Sequence, residues 1–175
     1  MPDSLPTPIL NNTFTLTEFY RRAEILERFL EHLFFDKAAE PSRDRAREMR
    51  AFYKDANGED RAHAEAVIAW GDDVLAPFNA NNVYDGVRAL KRAAESLPRL
   101  TLYVPVRFSA EQTAPIGAWC RAHIEQNIML DIKVDPATVG GCAYAYRDMY
   151  RDFSLQYFVA KERDAFLTLT RTYGA

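Results

Sequence analysis

The sequence predicts an α+β protein in two segments, an antiparallel helical bundle over 1–98 and a small β-α-β-β-α unit over 99–175. Three observations predict it. Before Pro98 the apolar residues recur at three- and four-residue intervals, which places them on one face of a helix. After Pro98 they alternate with polar residues, the period of a half-buried strand. Capping sequences and proline stops mark element ends on both sides of that change.

The first helix is the best marked. Thr15-Leu16-Thr17-Glu18 is a capping box, and Phe14 and Phe19 stand at the positions of a hydrophobic staple. Leu16, Phe19, Ala23, Leu26, Leu30, Leu33 and Phe34 then share one face, a stripe that needs other helices to cover it. Pro41-Ser42 opens a weaker helix in which Ala46, Met49 and Phe52 repeat, with Asn57-Gly58 as its C-terminal cap. A third helix is expected from Glu59 to Ala76, with Ala62, Ala66, Trp70 and Val74 inward and Pro77 as its stop. A fourth begins near Asn82, carries Val83, Val87, Leu90, Ala94 and Leu97, and ends at Pro98. Four such helices make a bundle.

Beyond Pro98, Leu102, Val104, Val106 and Phe108 alternate as a strand, and Pro105 places that strand at an edge or a bulge because it has no N–H to donate. Ser109-Ala110-Glu111-Gln112 is a second capping box, leading a helix with Ile116, Cys120 and Ile124, in which Pro115 implies a kink or a late start. Leu130, Ile132 and Val134 form a second strand, followed by a turn at Asp135-Pro136 and a Gly140-Gly141 step. Cys142, Tyr144 and Tyr146 mark a third strand, and Met149–Arg151 a short fourth. Ser154 caps a last helix with an apolar stripe of Leu155, Phe158, Val159, Phe166 and Leu169.

Composition removes several classes. A hydrophobic share of 48% with 27% charged residues is that of a folded globular chain, which excludes disorder and low complexity. No apolar run reaches the roughly 18 residues of a membrane span, so membrane association is expected only through partners. The opening Met1-Pro2-Asp3-Ser4 lacks the basic and apolar regions of a secretory signal. A net charge of −3, with neither segment basic, argues against nucleic acid as a partner. Cys120 and Cys142 form no metal or disulfide pattern and read as small core residues.

The residues offer little to catalysis. His32, His63 and His123 lie in separate elements without metal-ligand spacing, and no phosphate-binding or nucleophile-elbow motif occurs. Asp135, Asp148 and Asp152 cluster near loop ends, where paired carboxylates would serve acid–base work; aspartate also forms turns through its own backbone hydrogen bonds. Tyr144, Tyr146, Tyr150 and Tyr157 are the aromatic set an RNA-stacking surface would use, or that would pack a sheet face. Arg43, Arg45, Arg47 and Arg50 are interleaved with Asp44 and Glu48 and read as a solvated face.

One pattern is more specific. Val104-Pro-Val-Arg-Phe-Ser109-Ala110 precedes a helix, Ile132-Lys-Val134-Asp135-Pro136-Ala-Thr138-Val139-Gly140-Gly141 follows it, and Asp148-Met-Tyr-Arg-Asp152-Phe-Ser154-Leu155 leads into the last helix. In this order and spacing the second segment resembles the C-terminal domain of the F-type ATP synthase delta subunit, known as OSCP in mitochondria. The resemblance makes Asp135, Gly140, Gly141, Asp148, Asp152 and Ser154 a structural signature. Arg147 and Phe153 stand where that family usually has glycine, which implies a differently shaped hairpin. The family typically has six helices before this domain, against the four expected here.

What the resemblance implies is structural work without a cofactor, metal or catalytic residue. The delta subunit links the catalytic head, through N-terminal segments of alpha subunits, to the C-terminal helices of the b subunits, at the cytoplasmic face of the inner membrane. The stripe of Phe19, Leu26, Leu30, Phe34 and Phe35 is then either core of the first segment or its partner-binding surface, since an amphipathic helix docks in an apolar groove. The alternatives are a stand-alone protein-interaction module and a small RNA-binding protein.

Overall fold

The computed structural model describes residues 5–35, 44–163 and 167. Within them the chain is α+β, with eight α-helices and one four-stranded mixed sheet. Six helices precede the sheet: α1 (Thr7–Asn12), α2 (Leu16–Phe35), α3 (Arg45–Phe52), α4 (Gly58–Ile68), α5 (Asp72–Leu75) and α6 (Val83–Glu95). The remainder runs β1 (Arg99–Val104), α7 (Ala110–His123), β2 (Met129–Val134), a 3-10 turn (Pro136–Thr138), β3 (Ala143–Tyr146), β4 (Met149–Asp152) and α8 (Leu155–Lys161).

The capping boxes form as their chemistry requires. Thr15 Oγ1 accepts from Glu18 N at 3.1 Å, and Glu18 accepts from Thr15 N at 3.1 Å, which starts α2 at Leu16. The Ser109–Gln112 pair closes in the same way and starts α7 without delay, with Pro115 accommodated inside it. Phe14 packs against Gly117 and lies beneath the Arg121 guanidinium, 4.8 Å from its ring centroid.

Three helical expectations need correction. Asn57-Gly58 begins a helix instead of ending one: Asn57 Oδ1 accepts from Asp60 N at 2.8 Å, and Glu59 and Asp60 supply the acidic first turn that a helix N-terminus favours. The single helix expected over Glu59–Ala76 is two, because Gly71 takes φ +79° and breaks it. Of its expected inward residues Trp70 and Val74 are buried, Ala66 is half-buried and Ala62 is exposed, with Ala64 and Val67 buried beside them; alanine is too weakly apolar to set the phase. With α1 included, four expected helices become six. Pro41-Ser42, Phe166 and Leu169 lie outside the described residues.

The sheet order is β2-β1-β3-β4. β1 and β2 run parallel, Leu100 opposite Leu130 and Leu102 opposite Ile132, while β1–β3 and β3–β4 are antiparallel. β1 is therefore an interior strand and stops at Val104, short of the expected Val106 and Phe108, because Pro105 cannot join a ladder with neighbours on both sides. Leu100, Leu102, Leu130, Ile132, Tyr144 and Tyr146 share one face through the period of two and pack with Ile116 and Cys120 of α7.

A larger core surrounds α2. Phe19, Ile25, Leu26, Phe29 and Leu30 pack with Met49, Trp70, Leu75, Val83 and Val87, and Met129 of β2 joins them. Tyr53 is held inside, donating to Ile25 O at 2.9 Å, and burial pushes its phenol up to about 12. The strand-like residues before α2 also touch the sheet, where Leu130 N donates to Phe14 O at 2.9 Å.

Candidate functional site

Five of the six signature residues of the second segment, all but Asp148, meet at one junction, where the 3-10 turn, the open end of the β3–β4 hairpin and α8 converge. Asp135 Oδ1 accepts from Ala137 N at 3.0 Å and closes the turn after β2. Asp152 Oδ1 accepts from Ser154 N at 2.8 Å, and Ser154 Oγ accepts from Tyr157 N at 3.1 Å, which starts α8. Gly140 O accepts from Leu155 N, and Cys142 O from Phe153 N, both at 2.9 Å, so the hairpin continues to the helix. Of the glycine pair, Gly141 has the demanding position: φ is +77°, and a Cβ there would lie 2.2 Å from the Phe153 carbonyl oxygen. Asp148 is exposed at the hairpin tip, beside Arg147 at φ +51°, a left-handed backbone like that glycine adopts. Asp135 and Asp152 thus cap turns, and no group of three His, Cys, Asp or Glu among the described residues could hold a metal.

What this junction presents outward is apolar. No described residue of α8 is buried, and Leu155, Tyr157, Phe158 and Val159 are about half exposed, as is Phe153 just before the helix. Exposed apolar side chains gathered on one short helix make it a candidate surface. The tyrosines divide. Tyr144 and Tyr146 face the second core, Tyr146 donating to Glu125 under the Arg147 guanidinium, while Tyr150 and Tyr157 remain outside.

The stripe on α2 also divides. Phe19, Leu26 and Leu30 are completely buried by the chain's own side chains, so they are core residues and not a contact surface. Phe34 is half-buried beneath Arg45, 5.5 Å from its ring centroid. Phe35, 51% exposed, stacks on exposed Tyr84 of α6 at 6.2 Å. That pair is the part of the stripe within reach of another chain.

A cleft of about 780 Å³ lies where the helical half meets the sheet. Its walls are the start of α2, the first turns of α4, the β1–α7 loop with the start of α7, and the end of β2. Arg22 lies in the wall, 8% exposed, donating to Asn12 O at 2.6 Å and Thr13 Oγ1 at 2.7 Å, with no hydrogen-bond partner for Nε. Burial lowers its pKa, against the attraction of Glu18. His63 is half-buried in the same cleft, and burial, with repulsion from Arg22 and Arg21, holds its imidazole below the ordinary value despite Glu59 and Glu18. Motif reading missed this cleft, although Arg22 carries a signal. It stands three residues after Phe19 and four before Leu26, an arginine on the buried face.

No protein-family model matches the chain, and no curated protein matches it. No helix among the described residues is long and apolar enough to cross a membrane.

Proposed function

We propose that the chain is a non-catalytic stator adaptor of an F-type ATP synthase, joining alpha subunits of the catalytic head to helices of the b subunits in the peripheral stalk. The observation that carries this reading is α8: a helix held in place by the signature residues at its base, yet burying none of its apolar side chains in its own chain. An apolar helix left about half exposed suits a partner helix laid against it. The C-terminal helices of the b subunits are the partner that the resemblance implies for this segment. In the first segment, α2 packs against α4 and α6, which suits the central member of a helical bundle, and six described helices precede the sheet, the number usual in that family. Phe35 and Tyr84 are its exposed aromatic pair, the place we assign to an N-terminal segment of an alpha subunit. The protein then reaches the cytoplasmic face of the inner membrane through those partners.

Affinity capture on the tagged chain from native membranes tests the reading, with alpha and b subunits expected among the captured proteins. Capture of neither, with other proteins retained, leaves the stand-alone interaction module as the better account. The sharper test is Phe158→Asp. Because Phe158 is exposed, the melting temperature should hold while binding to the C-terminal helix of the b subunit, made as a fragment, falls at least about tenfold, the loss of one buried aromatic anchor. Unchanged binding would remove α8 as the contact.

A further inference from the structure

We propose that the outer edge of β4 takes up an extended segment of another protein as a fifth strand, antiparallel to β4, with an acidic side chain opposite Arg151. It goes beyond the stator reading, which rests on α8, and uses different residues. β4 is an end strand of the sheet, paired with β3 on one side. Antiparallel ladders alternate between residue pairs that exchange hydrogen bonds and pairs that do not. Phe153 N donates to Cys142 O at 2.9 Å, so Tyr144–Arg151 and Tyr146–Met149 are the bonded pairs that follow. The N–H and C=O groups of Tyr150 and Asp152 therefore point away from β3, and no described strand lies beyond them. α8 starts past the end of β4 and packs beside the 3-10 turn that follows β2. The opposite edge of the sheet is closed at Leu130, whose N–H donates to Phe14 O.

The side chains along the edge select its occupant. Successive residues of a strand alternate between faces. On one face Tyr150 is 60% exposed and meets Tyr103 edge-on, at 6.3 Å between centroids. On the other, exposed Arg151 stands between the exposed Met149 and Phe153. Arg151 has no carboxylate partner among the described residues, whereas Arg147 is paired with Glu125. A second copy of β4 is a poor occupant. Pairing Tyr150 with the copy's Asp152 sets Arg151 against Arg151, and pairing Tyr150 with the copy's Tyr150 sets Asp148 against Asp152. Like charges directly opposite weaken a ladder, one of the devices by which edge strands avoid joining each other. A foreign strand with a carboxylate at the Arg151 position turns that repulsion into attraction. Apolar residues two places to either side of the carboxylate would then meet Met149 and Phe153. The main chain supplies the hydrogen bonds of such an added strand, and the alternate side chains its specificity.

The probe is the peptide acetyl-Val-Thr-Glu-Val-Val-amide, titrated into the full chain and followed by amide chemical shifts and hydrogen exchange. Saturable shifts over residues 149–153 are expected, with the Tyr150 and Asp152 amide protons becoming protected from exchange. Two N-methylated peptides separate strand pairing from apolar adhesion. Methylating the valine after the glutamate, which would pair with Tyr150, should abolish protection. Methylating the glutamate nitrogen, which would point away from β4, should leave it. Replacing the glutamate by lysine should weaken binding about fivefold, and Arg151→Glu should reverse that preference at an unchanged melting temperature. Absence of saturable binding, shifts that map to α8, equal effects of the two methylations, or a charge preference that Arg151→Glu leaves in place would each overturn the site. Protection of the same amides in the chain alone, rising with its concentration, would overturn it in favour of a second copy.

Discussion

At Gly141 a single hydrogen atom decides whether the hairpin can meet α8. The residue has φ +77°, and its Cβ would fall 2.2 Å from a backbone oxygen that cannot swing aside. Gly141→Ala should therefore cost about 3 kcal/mol or more, from the left-handed penalty together with overpacking. Gly140 next to it meets only Leu155 Cβ, at 3.7 Å, so Gly140→Ala should shift stability by less than about 1 kcal/mol. Urea melts of the two variants check the contrast, and equal losses would refute it. Arg147 is the opposite case, an L-residue at φ +51° in a position that glycine fills without strain. Arg147→Gly should raise the melting temperature even though the exposed ion pair with Glu125 is lost, because such pairs contribute little. His63 carries a pH dependence. Its pKa is lowered from 6.5 in the fold, chiefly by burial, so between the two values the unfolded chain binds more protons. Its contribution is complete above the unfolded value and is lost as pH falls through the folded one. Melting temperature against pH should be flatter across that window in His63→Gln, and parallel curves would show that His63 does not titrate in this way.

At the scale of elements, what was legible followed the reach of local chemistry. Both capping boxes were readable because each closes within four residues, and the paired hydrogen bonds at Thr15–Glu18 and Ser109–Gln112 need nothing from the rest of the fold. The strands β1 and β2 were readable from alternation, but the end of β1 depended on its being interior, and strand order is not a local property. The break at Gly71 was hidden because a lone glycine inside a helical pattern is tolerated as often as it ends one. The cleft was invisible for a stronger reason. Its groups come from residues 15–22, 59–63, 107–113 and 132–134, which only the tertiary fold brings together. Ser154→Ala, at a cap that local sequence did reveal, should cost about 1 kcal/mol. Circular dichroism at low denaturant should show the helical signal of α8 lost before the rest; loss in step with the whole chain would mean that α8 is held by more than its cap.

For the molecule as a whole, Arg121 is the group that couples the sheet to the helices. From α7 it donates to Leu10 O, to Thr13 O at 2.7 Å and to Ile128 O at 3.1 Å, and it covers the Phe14 ring. One guanidinium thus holds the α1–α2 connection and the start of β2 together, using donors in three directions that a lysine cannot reproduce. The same connection is gripped from the other side by Arg22, through Asn12 O and Thr13 Oγ1, while Asn12 itself donates to Ala66 O and accepts from Trp70 Nε1. Burial lowers the pKa of both arginines, so their charges are retained at a desolvation cost that the carbonyl contacts offset. Arg121→Met keeps the volume and removes the donors, leaving carbonyls on both sides of the junction short of a partner at about 1–3 kcal/mol each. The expected result is a loss of about 3 kcal/mol or more. The wild-type chain should unfold in one transition, because Met129 lies in the helical core and Leu130 pairs with Phe14 across the junction. In a Trp119→Phe background, Arg121→Met should separate that transition into two, read by tryptophan fluorescence, which then reports Trp70 within the helical core, and by far-ultraviolet dichroism. Arg121→Lys, which keeps the charge but not the fork, should fall between the two. A variant that loses stability yet still melts in one coincident transition would show that the apolar contact at Met129, and not the guanidinium, joins the halves.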